Sequence, residues 1–163
     1  MTLAWPQLDA SLRAHRPALL ADLNPPASAK TLQHLQSTLG VSLPEAFLDA
    51  LRGHDGQRGN SEPLLNSFRW LSCARILDAW HFWKQQSAST GFNKGVEPGP
   101  GVQAYWWHPG WIPFASNGSG DYLCLDLAPA TAGVPGQVIT VWHDDGARRI
   151  VDVHFLAWFS RFF

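Results

Sequence analysis

Two cysteines, Cys73 and Cys124, are too few for a disulfide framework, and neither belongs to a CxxC pair, so a stapled scaffold and a thiolate zinc site are both excluded. Charge is scarce as well. Charged residues make up 15% of the 163 positions, and twelve Lys and Arg against thirteen Asp and Glu leave a net charge of −1. That charge is spread as 0 over residues 1–60, +1 over 61–111 and −2 over 112–163, which builds no cationic face for nucleic acid. No apolar run nears the roughly 18 residues of a membrane helix. The opening "MTLAWPQLDASLRAHR" has no basic segment followed by an apolar one, so the expected compartment is the cytoplasm.

Spacing removes most of the chemistry that seven histidines suggest. His15, His34, His54, His81, His108, His143 and His154 never fall as HxH, HxxxH or HExxH, so neither a metal nor a cofactor is expected. Glu45, Glu62 and Glu97 are the only glutamates, and each has a helix-start or loop explanation. Asp121 and Asp126 lie five apart along a strand pattern, an odd separation that sets them on opposite faces and weakens acid–base pairing. "SNGSGD" has glycines and a serine, but a strand follows where a phosphate cradle or nucleophile elbow needs a helix. Ser119, or His143 beside Asp144, remains the minor hydrolase alternative.

Apolar residues are plentiful at 45%, with nine Trp, nine Phe and two Tyr. A chain of this length buries roughly 70% of its unfolded surface around one core, so a single domain over 1–163 is expected. Leu8 and Leu12 suit a helix that starts at Pro6 and breaks at Pro17. Ser28 caps a second, with Leu32, Leu35 and Leu39 on one stripe and Gly40 as its stop. "SLPEAFLDALRG" reads as a third helix with Ser42 and Glu45 at capping-box spacing. Residues 64–71 read as a strand. Ser72 caps a helix with an inner stripe of Ile76, Leu77, Trp80 and Trp83, and "STGFNKGVEPGPG" is a loop.

The period then changes from helical to two: "WIPFA", "YLCLDL", "QVITVWH" and "ARRIVDV" form an antiparallel meander with one core face, and Asp145-Gly146 is a type I′ turn candidate. Phe155, Trp158, Phe159 and Phe162 mark a last helix over ten residues that lies on the sheet. The fold class is therefore α+β: a curved antiparallel sheet of about four to six strands, packed by N-terminal, middle and C-terminal helices. Trp106, Trp107 and Trp111 crowd a Pro/Gly-rich stretch, where they are either core fillers or a contact surface.

The order of these features resembles a known family. Leu39-Gly40, Leu43-Pro44 and the Asp55-Gly56 turn precede Ile112-Pro113-Phe114-Ala115, Gly120-Asp121, Leu125-Asp126-Leu127 and a late "QVITVWHD" strand. This pattern, over most of residues 24–163, resembles the SUKH superfamily of Smi/Knr-type homologues of a fungal cell-wall synthesis regulator. The resemblance implies a non-catalytic binding domain. In bacteria it implies an immunity protein that neutralises a cognate toxin, often a nuclease, encoded next door; in fungi it implies a regulatory scaffold. A long C-terminal extension of the fungal kind is not expected after Phe163, which leaves immunity as the main expectation and the scaffold as its alternative. His154 stands where family members often place Ser before the last helix, which weakens that cap. The surfaces expected to meet the toxin are the turns with Asp55, Gly56, Gln57, Asn117 and Asp121, together with Trp106, Trp107 and Trp111.

Overall fold

The computed structural model describes residues 3–89 and 91–162. Helix α1 (Trp5–His15) buries Trp5, Leu8 and Leu12, and α2 (Pro17–Asp22) starts anew at the proline, whose ring cannot donate to the preceding turn. In α3 (Ala29–Leu39) the Thr31 amide donates to Ser28 Oγ at 3.1 Å, and Gly40 closes the helix at φ 71°. These ends match expectation. The capping box does not form: α4 (Glu45–Gly53) begins after Pro44 with no side-chain cap, and Ser42 is left exposed. The Pro44 carbonyl takes the first bonds instead, from the Phe47 and Leu48 amides.

Residues 64–71 are a bent segment. Asn66 adopts φ 62° inside a Leu65–Phe68 bridge, and only β1 (Arg69–Trp70) joins the sheet. Helix α5 (Cys73–Gln86) follows with the Arg75 amide on Ser72 Oγ. The glycine-rich segment is then tied down by β2 (Glu97–Pro98), which pairs in parallel with β6 (Ala147–Arg148), and Val102 is in the core.

Strands β3 (Trp111–Ser116), β4 (Tyr122–Asp126), β5 (Gln137–Val141) and β7 (Ile150–Asp152) join β1 in an antiparallel sheet of order β1-β3-β4-β5-β7. The fourth sequence run thus splits, one half to each sheet. Gly146 is not in the left-handed region, so no type I′ turn forms there. A Cβ at Gly146 would stand 2.0 Å from the Gly95 carbonyl oxygen: close approach of two loops is what the glycine permits.

The expectation of one core face for β4 is also corrected, because Leu123, Cys124, Leu125 and Asp126 are all buried. Helix α5 covers one face, with Trp83 edge-on to Tyr122 at 6.4 Å. Helix α6 (Phe155–Phe159) brings Phe155 and Trp158 to within 5.5 and 5.6 Å of the Phe114 ring, and Phe47 of α4 joins them at 5.9 Å. The last helix is shorter than expected, ending in a 3₁₀ turn over Ser160–Phe162, and His154 supplies no cap.

Candidate functional site

Two polar knots lie under the turns singled out above. In the first, Asp55 Oδ1 accepts the Cys73 amide at 2.7 Å and so pins the 55–60 turn to the start of α5, where a carboxylate also meets the positive end of the helix dipole. Gly56, buried at φ 68°, could hold no Cβ, which would stand 2.2 Å from the Ser72 nitrogen. Gln57 is 2% exposed; its amide donates to Asp22 and the Glu62 carbonyl, and its Oε1 accepts the Leu64 and Trp70 amides. Burial raises the Asp22 carboxyl, but N–H donors from Asn60, Gly59 and Gln57 outweigh it and hold its pKa below the ordinary value.

The second knot joins the β3–β4 turn to the end of β5. Asn117 Oδ1 accepts the Ser119 and Asp121 amides, while its Nδ2 donates to Asp121 Oδ2 at 2.8 Å. Asp121 Oδ1 accepts both the His143 amide at 2.9 Å and His143 Nδ1 at 2.7 Å. The imidazole's partner is therefore Asp121, with Asp144 more distant at 4.0 Å. Burial raises the Asp121 carboxyl, yet these donors bring it below its usual range; the same bond raises His143. Asp126 is buried with Gln137 Nε2 at 2.9 Å and the Ala128 amide at 2.9 Å, and burial raises its pKa.

The tryptophan cluster divides. Trp107 and Trp111 are buried, Trp107 edge-on to Trp80 at 6.3 Å, so their rings cannot form a contact surface. Only Trp106 is half-exposed, lying on the guanidinium of Arg148 at 4.8 Å. Arg148 is wholly buried, and its five hydrogen bonds all go to main-chain carbonyls, of Trp106, Trp142, Asp145 and Ala147. Burial pulls it down to about 10. Nothing in the run "ARRIVDV" distinguished this arginine from Arg149; only the return of β6 beneath Trp106 does.

Of the residues expected to face a partner, Gly56, Gln57, Asp121, Trp107 and Trp111 are thus inside, while Asp55, Asn117 and Trp106 are half-buried. The turns are fixed from beneath, which leaves their outer backbone as rigid surface. Burial raises the thiols of Cys73 and Cys124, so both remain protonated core groups. Asp121, His143 and Asp144 do place three ligand atoms within 4.8 Å of one another, though Asp121 already holds three donors from the protein. Among the described residues no helix is long and apolar enough to cross a membrane.

This architecture defines an α+β domain whose polar groups are spent largely on fixing loops. The pattern of the SMI1 / KNR4 family (SUKH-1) matches residues 26–161, and the chain belongs to that family. It is 26% identical, over 96% of its length, to a KNR4/SMI1 homolog of Yarrowia lipolytica, covering 30% of that protein. It is 25% identical, over 91% of its length, to the cell wall assembly regulator SMI1 of Saccharomyces cerevisiae, covering 37% of it. A glucan synthesis regulatory protein of Neurospora crassa is 26% identical over 94% of the chain and 36% of the relative. The chain spans about a third of the length of these relatives.

Proposed function

We propose that the chain is a regulatory binding domain, acting in cell-wall assembly or its signalling through contact with other proteins and not through catalysis. The carrying observation is the match over residues 26–161 to a family whose curated relatives are named as regulators of wall assembly and glucan synthesis. The fold agrees with it at two of the candidate groups, since Asp121 holds three donors from the protein and His143 Nδ1 is held by Asp121. Toxin neutralisation is the competing expectation, and the relatives' roles favour regulation over it. The two readings part in the source organism. Deleting the gene should raise sensitivity to a wall-binding dye, and restoring the chain should reverse it. Unchanged sensitivity, together with rescue by this chain of cells expressing a toxic neighbouring frame, would establish immunity instead.

A further inference from the structure

Helix α1 lies outside residues 26–161, which carry the family pattern, and its 11 residues are marginal as a helix in isolation. It has no side-chain cap, so it depends on what it packs against. Leu8 and Leu12 are buried, and the Trp5 indole sits on α4: its N–H donates to the Ala50 carbonyl at 3.1 Å, and a Cβ at Gly53 would stand 2.0 Å from the ring. One charged contact adds to these. Asp9 Oδ1 and Oδ2 stand 2.9 and 3.2 Å from His54 Nε2, and the His54 and Asp9 side chains are only 15% and 27% exposed, so water screens the pair poorly.

The other ring nitrogen decides the chemistry. His54 Nδ1 is 2.8 Å from the Asn24 carbonyl oxygen, which only accepts, as does the Asp9 carboxylate on the far side of the ring. A neutral imidazole has one N–H and one lone pair, so either tautomer points a lone pair at an oxygen; the imidazolium alone donates to both. Among the described residues no other charged side chain is at hydrogen-bond distance of the ring. Asp55, next in the chain, has Oδ1 on the Cys73 amide, and Arg52 of α4 is paired with Glu45 and Asp49. From β1 the Trp70 indole N–H reaches the His54 carbonyl, and from α6 the Phe159 ring packs edge-on to Trp5 at 5.6 Å.

We propose that His54 is a proton-operated latch: doubly protonated, it ties Asp9 to the Asn24 carbonyl and holds α1 on the domain, and loss of one ring proton to solvent lets α1 open. Aspartic acids as a class give up their proton at about pH 4, and histidines their second at about pH 6.5. The latch is closed between those values and opens on the alkaline side, where a lone pair comes to face the carboxylate or the carbonyl. Opening lifts Trp5 from Gly53 and from the Phe159 ring, so a proton controls access to that part of the core. The device stands apart from the regulatory reading and holds with or without it.

The test is amide hydrogen exchange of the full chain across the neutral range, with each rate divided by that of an unstructured peptide at the same pH, read beside proton–nitrogen NMR of the imidazoles. Protection of residues 8–13 should fall about tenfold relative to β4 as pH rises, the factor expected for one lost charge-assisted hydrogen bond. Its midpoint should coincide with loss of a ring proton at His54, whose signal is the one missing from His54→Gln. Asp9→Asn, at a half-buried helix position, should show the low protection at every pH, and His143→Gln, in the other knot, should keep the wild-type profile. Wild-type protection of α1 that follows β4 at every pH, a His54 that loses its proton while α1 stays protected, or an unchanged profile in Asp9→Asn would overturn the proposal. The first two outcomes are read on the wild-type chain, so they stand even if a variant fails to fold.

Discussion

His143 Nδ1 stands 2.7 Å from Asp121 Oδ1 across 22 residues of sequence, and this bond closes the β3–β4 turn onto the bend just after β5. Its energetics have a sign that can be measured. The folded pKa of His143 is raised, chiefly by the Asp121 bond, against an opposing cost of burial and with the charges of Asp144 and Asp121 assisting. The bond's contribution is therefore fully present below the unfolded histidine value and is lost as pH rises through the raised folded value. Asp121, lowered in the fold, contributes above its unfolded value and loses that share as pH falls through the folded one. The difference in unfolding midpoint between wild type and His143→Gln should shrink as pH rises past neutrality. His108, lowered by burial, titrates in both proteins and cancels from the difference. A constant difference from pH 5 to 9 would contradict the assignment.

Two glycines in family turns should respond differently to alanine. At Gly56 a Cβ meets backbone at 2.2 and 2.4 Å and φ is +68°, so Gly56→Ala should cost at least about 3 kcal/mol in denaturant unfolding. Gly118 has φ +80° but open space around it, and Gly118→Ala should cost about 1 kcal/mol from the backbone alone. Equal losses would show that conformation, and not contact, sets both.

Trp158 is 5% exposed and packs at 5.6 Å on Phe114 and 5.2 Å on Phe162. Trp158→Ala should destabilise by roughly 3 to 5 kcal/mol, measured by equilibrium unfolding. A change within about 0.5 kcal/mol would place this ring outside the core.

Arg148→Met keeps the volume and removes every donor, leaving the carbonyls of Trp106, Trp142 and Asp145 without their guanidinium partner. A loss of roughly 3 kcal/mol is expected. Faster hydrogen exchange should be confined at first to residues near Trp106 and β6, since those are the segments the arginine ties together.

Sequence periodicity located the long elements because their signals are local. Ser28 and Ser72 cap α3 and α5, Gly40 stops α3, and period two marks β3 to β5. What it missed depends on distant partners. Gly146 looked like hairpin chemistry, but the nearby carbonyl belongs to Gly95, in a loop that only the β2–β6 pairing brings across. Trp107 and Trp111 looked available because Pro and Gly surround them; α5 and the sheet enclose them. In the sequence His143 adjoins Asp144, but its partner is Asp121 at the β3–β4 turn, two strands earlier. Gln57 reads from the sequence as part of an exposed contact turn, since an uncharged side chain shows its buried role only through the four groups it bonds.

The central claim is that this domain regulates by binding, without a nucleophile. The most direct measurement is growth of the deletion strain on wall-binding dye, carrying either the wild-type chain or Ser119→Ala, an exposed turn position whose hydroxyl is the nucleophile that the hydrolase alternative offers beside His143. The account predicts that both chains restore growth equally. Restoration by wild type alone, with Ser119→Ala folded and present at the same level, would contradict it.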